Sequence, residues 1–412
     1  MVLLSSGGKL VLSPGSSHTE LKHGNVRSVK RLKWIINRLI EFDIILDNGS
    51  LDTAIRPWNT ITGQALDLLC AGLSVRTTDI DERMENPFME DPQSEDFAKR
   101  SNRKPMCAPT LFEVATVADM CVDLILRGNV RPQFGQREQI VNSYCLELGG
   151  SANIFATQMA KLGARTAVLG YVGSDLFGDF VLQRLMESGV DVSLVKRDNS
   201  VATGLGVTLA EPDDRAILTI LGSIDLSRPC DLPDSPRSIS RHWHVASPFL
   251  LRGLRSAWPK FLGRAKADGL TVSLDPNWDP DESCDGIKDL LPLVDVFLPN
   301  EAEATALTGL TNSIEAGRQL AKACPLVVIK RGSRGAIAVR DDRVWKIEAS
   351  PVPTADGTPI DTVGAGDNFD AGFLRAWMLG KDIDDCLCLG RLCASESLSS
   401  AGGIRGQWTG SI

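Results

Sequence analysis

The stretch Asp361-Thr-Val-Gly-Ala-Gly-Asp367-Asn-Phe-Asp-Ala-Gly-Phe373 joins a tight glycine turn directly to a helical pattern. Gly364 and Gly366 open backbone conformations closed to other residues and let a ligand approach the main chain. From Asn368 onward, Phe369, Phe373, Leu374 and Trp377 recur at helical spacing. A glycine turn at a helix N-terminus presents free N–H groups and the positive end of the helix dipole, which makes an anion site. Asp367 lies in the same turn. An acid beside an anion site suits a task in which the carboxylate takes a proton from a hydroxyl while N–H groups stabilise a transferring phosphoryl group.

Working outward, the chain from Thr110 reads as α/β. Glu113 to Leu126 reads as one buried strand, with Asp123 at its C-terminal end. Gly149-Gly150-Ser151-Ala152-Asn153 opens a helix carrying Phe155, Met159 and Leu162 on one side, stopped by Gly163. Further strands are expected at Thr166–Val172, Trp243–Ala246, Thr271–Leu274, Val294–Leu298, Leu326–Lys330 and Ala336–Val339. Strands alternating with helices predict a mostly parallel sheet covered on both faces, with ligands at the strands' C-terminal ends. Asp123, Asp275, Asn277 and Asn300 fall at such ends. Polar β-like pieces at 131–147, expected as an edge hairpin, and at 202–221 stand apart from this rhythm.

Asn300 and Glu303, three apart at a helix start, fit either an N-cap with its N3 acid or a water-mediated magnesium site. Lys330-Arg-Gly332-Ser-Arg-Gly335 fits a plain hairpin turn or a glycine loop against a nucleotide. His242 and His244 alternate onto one side of a strand and read as structural. The chain lacks Gly-x4-Gly-Lys-Ser/Thr and lacks Gly-x-Gly-x-x-Gly between a strand and a helix, so a Walker loop is excluded and a dinucleotide site is unsupported.

Composition sets outer bounds. The 412 residues allow one large domain or two ordinary ones, and 43% apolar content supports a full core. A net charge of −8 argues against a general nucleic-acid partner. No membrane span or secretory leader is read, so a cytoplasmic protein is expected, with its ten scattered cysteines reduced. Residues 1–108 read as an extension of unassigned fold, ahead of a main domain at 109–412. The extension holds a basic amphipathic helix over Val26–Phe42, a short helix over Ile61–Leu73 and a charged linker over Arg76–Lys104.

The motifs Asp361-Thr-Val-Gly-Ala-Gly-Asp367, Gly149-Gly150, Asn300-x-x-Glu303 and Lys330-x-Gly332-x-x-Gly335 together resemble the ribokinase-like, or PfkB, carbohydrate kinases, in order, over about three quarters of the chain. The resemblance implies that fold with a small β lid, and ATP-dependent phosphorylation of a sugar-like substrate. It implies Asp367 as general base and Gly364, Ala365 and Gly366 as anion hole. Asp123, Gly149, Gly150 and Asn153 would bind the acceptor. Asn300, Glu303, Lys330, Gly332 and Gly335 would border nucleotide, with Glu303 meeting Mg2+ through water. Asp361 and Val363 lie where relatives often hold a monovalent cation such as K+. The lid would also pair two copies into a homodimer.

Two departures stand out. Two residues rather than three separate Gly150 from Asn153, a shift worth about 100° of helix rotation. Asp279 stands where relatives carry a basic residue. A nucleoside kinase and a non-catalytic scaffold on the same fold are the alternatives. The few lid aromatics, Phe134 and Tyr144, favour a plain sugar over a nucleoside.

Overall fold

The computed structural model describes residues 2–6, 9–13, 112–211 and 215–410. The expected helices at Val26–Phe42 and Ile61–Leu73 and the linker at Arg76–Lys104 lie outside these residues. The chain divides into two compact units, 1–103 and 104–412. In the first, β1 (Val2–Ser6) and β2 (Lys9–Ser13) pair antiparallel.

The second unit runs β3 (Phe112–Val117), β4 (Cys121–Arg127), β5 (Ser143–Gly149), α1 (Ser151–Lys161), β6 (Thr166–Gly173), α2 (Leu176–Glu187) and β7 (Asp191–Asp198). It continues through β8 (Gly204–Ala210), β9 (Arg215–Ile220), β10 (Ser240–Ala246), α3 (Trp258–Ala267), β11 (Thr271–Asp275), α4 (Ile287–Leu290) and β12 (Val296–Phe297). Then come α5 (Glu301–Thr308), α6 (Ser313–Leu320), β13 (Leu326–Lys330), β14 (Ala336–Arg340), β15 (Arg343–Ile347), α7 (Ala365–Met378) and α8 (Ile383–Ser397).

Nine strands form the main sheet in the order β15-β14-β13-β12-β11-β10-β3-β6-β7. All neighbours from β13 to β7 are parallel, and β14 and β15 are antiparallel additions at one edge. Trp243, Val272, Leu274, Val327 and Ile329 bury one face of the central strands and Val114, Val296, Leu326 and Val328 the other, as a sheet covered on both sides requires. On one face Trp243 meets Phe261 of α3 edge-on. On the other, Phe155 and Met159 of α1 pack with Phe369, Phe373 and Leu374 of α7. Phe373 is fully buried there, and Phe373→Ala would cost about 3–5 kcal/mol.

A second sheet, β5-β4-β8-β9, makes the lid. Here the sequence expectation needs correction. Glu113–Leu126 is not one strand; it breaks at Ala118–Met120, β3 staying in the main sheet and β4 entering the lid. Continuous apolarity hid the break, because both strands are largely buried. Asp123 therefore sits within a lid strand and not at a main-sheet strand end. Likewise 131–142 forms no hairpin arm; only Ser143–Gly149 pairs, against β4. Of Val294–Leu298 only Val296 and Phe297 form ladder pairs.

The chain moves outward from β3 to β6 and β7, then returns to β10 on the other side of β3. That reversal makes the crevice in which doubly wound folds place their ligands. The residues leaving the strands there are Asp119, Ser247, Asp275, Asn300 and Lys330.

Candidate active site

Helix α7 starts earlier than its apolar spacing suggests. Gly364 is its N-cap, at φ 73°, so Asp367 falls in the first helical turn. A side chain at Gly364 would be strained there and would come within 2.9 Å of Gly403. Asn368 pins the turn by donating to the carbonyls of Gly364 (2.8 Å) and Gly403 (2.9 Å). The first N–H groups of the helix have no acceptor further up the helix, and that of Ala365 has only a 3.5 Å contact to Thr362.

Asp367 is almost wholly buried. Burial first, then the charges of Asp275 and Asp119, push its carboxyl well above the ordinary aspartate range; Lys330 and a hydrogen bond from Ser151 pull the other way. Ser151 opens α1 and also accepts from the Asn277 amide at 3.0 Å. Asn277 in turn accepts from the Ser247 N–H at 2.8 Å. The ends of β10 and β11 thus position the start of α1 against Asp367.

Beneath the turn lies Lys330. Its ammonium is 2.7 Å from Asp275 Oδ2 and 2.9 Å from Asp370 Oδ2, with both carboxylates almost fully buried. Burial opposes the lysine's charge, but Asp275, Asp370 and Glu303 outweigh it and hold the pKa above the usual value. Burial raises both acids as well; Lys330 nonetheless keeps Asp275 below its ordinary value, while Asp370 is pushed well above it. Lys330, expected at the nucleotide, thus has its charge turned inward under the Gly364–Gly366 turn.

Asn300 and Glu303 form a reciprocal capping box. The Glu303 N–H donates to Asn300 Oδ1 (2.9 Å) and the Asn300 N–H to Glu303 Oε2 (2.7 Å). Burial and then Asp275 raise Glu303 to about 7. Gly332 and Gly335 lie in the turn between β13 and β14, and a side chain on Gly335 would strike the Ile347 carbonyl. Asp279 is tied up within its own loop. Its carboxylate accepts from the N–H groups of Asp281, Ser283 and Cys284. Phe249, Asn277, Trp278, Glu303 and Leu307 line a cavity of about 190 Å³ beside it.

The Gly149–Asn153 turn has its own geometry. Gly150 caps α1 at φ 86°, and a Cβ there would lie 2.2 Å from the Asp119 carbonyl. Asp119 accepts from the N–H groups of Ser151 (3.2 Å) and Ala152 (3.1 Å). Asn153, displaced by the shortened motif, is fully buried and donates back to the Gly149 carbonyl at 2.8 Å. Ser151 takes the position beside Asp367. Asp123 stands half-buried on the lid, facing Gly149 on one side and Gly206 on the other. A Cβ at either glycine would lie 2.6 Å from its Oδ1. The missed residues are Ser151, Asp119, Asp370 and Gly206; Asp119 lies two residues past the end of β3, at the break that the continuous apolar run concealed.

His242 and His244 are buried and hydrogen-bonded to Thr271 and Ser273; burial lowers them to about 4 and about 3, so they are neutral structural residues. No helix among the described residues is long and apolar enough to cross a membrane.

The sequence model described as pfkB family carbohydrate kinase matches residues 112–409. An uncharacterized sugar kinase of Archaeoglobus fulgidus is 31% identical over 250 residues, covering 60% of this chain and 97% of the relative. The 2-dehydro-3-deoxygluconokinase of Bacillus subtilis is 28% identical over 280 residues, covering 65% and 85%. Among solved structures, a putative ribokinase II of E. coli in complex with ATP and Mg2+ superposes with a TM-score of 0.64 at 23% identity, covering 72% of this chain and 96% of that one.

Proposed function

The chain belongs to the pfkB family of carbohydrate kinases, and from that premise we propose that it transfers the γ-phosphoryl group of ATP to a hydroxyl of a small sugar or sugar acid. One observation carries the reading. Asp367 and the N–H groups of Gly364, Ala365 and Gly366 share a single helical turn over Lys330. The base and the anion hole are thereby fixed to one rigid element, as in-line transfer needs.

The acceptor hydroxyl gives its proton to Asp367. The raised pKa of that carboxyl makes it a stronger proton acceptor than a solvated aspartate, once ionised. The N–H groups of the turn stabilise charge on the γ-phosphoryl oxygens. Ser151 and Asn277 hold the carboxylate in line. Asp123 takes acceptor hydroxyls from the lid, with Gly149, Gly150 and Gly206 leaving room for them; Asn153 supports that turn from beneath. Gly332 and Gly335 border the nucleotide. Lid closure excludes water from the transfer.

Asp119, Asp275, Glu303, Asp367 and Asp370 are all buried, and a divalent cation arriving with ATP would stabilise their ionised forms. Glu303 would face Mg2+ through water, with the phosphates supplying the other oxygens. When bound, Mg2+ neutralises phosphate charge. The outer lid face supports a homodimer: Leu124, Leu126, Leu146, Val207, Leu218 and Ile220 share it by register, the last two being 60% and 56% exposed.

The test is ADP formation over a panel of sugars, sugar acids and nucleosides. Turnover confined to sugars or sugar acids is expected. Turnover with nucleosides alone, or ATP binding without any acceptor turnover, would overturn the reading.

A further inference from the structure

The resemblance calls for a monovalent cation at Asp361 and Val363, yet the residues there do not fit one. Asp361 Oδ1 accepts from the Val363 N–H at 3.0 Å. Oδ2 accepts from the Gly402 N–H at 3.1 Å and from Arg127 Nη2 at 2.9 Å. Every named partner of the carboxylate is thus an N–H donor, whereas a hard cation needs oxygens turned toward it. One of the donors already carries a full positive charge. The Asp361 side chain is only 9% exposed, so the carboxylate is sheltered, while Arg127 reaches it with 31% of its own side chain in solvent.

Arg127 reaches this loop from the lid. It ends β4, on the same face as Asp123 by strand alternation. A second ion pair lies beside it with the opposite sense: Glu147 of the lid against Arg405, at 2.5 Å. Each side of the contact contributes one cation and one anion. The thiol of Cys145 feels the charge of all four side chains, which places them in one cluster. Charge at the Asp361 loop, three residues before the N-cap of the anion-hole helix, is balanced by the chain itself.

We propose that the Arg127 guanidinium stands in for the monovalent cation, so that the enzyme works without K+ or Na+ and the anion-hole loop is tied to the lid. Arg127 is a positioning residue, acting on the anion hole through Asp361. The inference rests on reading Gly364–Gly366 as the anion hole, so its test has one arm that needs no substrate.

In that arm, thermal melting in potassium chloride is compared with tetramethylammonium chloride at equal ionic strength. The wild type should show the same Tm in both; Arg127→Gln should fold and gain a saturable K+-dependent rise in Tm, as ligand linkage requires. In the second arm, ADP formation by the wild type should change less than about twofold with K+. Arg127→Gln should lose about tenfold in tetramethylammonium, the worth of one charge-assisted contact, and regain most of it with K+. Arg127→Lys should stay cation-independent. A saturable K+-dependent Tm rise in the wild type overturns the proposal. So does an Arg127→Gln enzyme that keeps wild-type turnover without K+ or melts alike in both salts. Absence of any acceptor turnover overturns the kinase reading instead and leaves the melting arm standing.

Discussion

The transfer end of the site and its lid are built on opposite principles. Around Asp367 the charges are buried, fixed to helix and strand ends, and connected: Lys330 joins Asp275 to Asp370, and Ser151 joins Asn277 to Asp367. On the lid, Asp123 is half-buried between two glycines, and Arg127 meets its partner with 31% of its side chain exposed. A network in low dielectric holds its geometry and resists change, since removing one partner leaves an uncompensated charge. A part-buried pair contributes less than a fully buried network and can part and re-form more readily. On the proposed function, proton transfer falls on the buried, connected half and acceptor binding on the more exposed one.

The largest effect should come from the buried half. Asp367→Asn removes the proton acceptor and should lower kcat by about 10³-fold or more, with the Kd for ATP little changed. Its stability effect has the opposite sign. The Asp367 carboxyl is raised in the folded chain, so the native state binds the proton more tightly than the unfolded chain. That contribution to stability is present at low pH and is lost as pH rises above the unfolded-state value. At pH 8 Asp367→Asn should therefore melt a few degrees higher than the wild type, measured by calorimetry. Next in size, Lys330→Met strands two buried carboxylates and should cost about 3–5 kcal/mol in urea unfolding. An Asp370→Asn change in that background should recover part of the loss.

Effects on the lid should be smaller and of another kind. Asp123→Ala should raise KM for the acceptor about tenfold or more, leaving KM for ATP unchanged, as loss of one hydrogen-bonded anchor would. Smallest, Gly206→Ala puts a methyl 2.6 Å from Asp123 Oδ1 and should raise acceptor KM by only a few fold, because the carboxylate can shift. If Asp123→Ala and Asp367→Asn lowered kcat alike, the division between the two halves would collapse.

The same contrast explains what could be read in the sequence. Gly364–Asp367 and Asn300–Glu303 are local devices, a turn and a capping box, whose geometry is set within four residues; both were legible. The parallel strands announced themselves as apolar runs. What remained hidden is carried by distant pairs. Arg127 and Asp361 are 234 residues apart, and Lys330 and Asp370 forty. The change of sheet between Val117 and Cys121 left no trace because apolar residues serve both sheets. The edge strands β7 and β15 went unread because half-exposed strands carry polar and charged residues. The shortened Gly149–Asn153 turn was visible, but not its outcome, in which Ser151 lies beside Asp367 and Asn153 turns back to the Gly149 carbonyl.

The central claim, that the buried Asp367 takes the acceptor's proton, is tested most directly by the pH dependence of kcat/KM in the wild type and in Asp275→Asn. Burial and the Asp275 charge raise Asp367, so the acidic limb should lie above the ordinary aspartate value of about 3.9. It should move to lower pH when Asp275 loses its charge. A limb at the ordinary aspartate value, or one that stays in place in Asp275→Asn, would contradict the account.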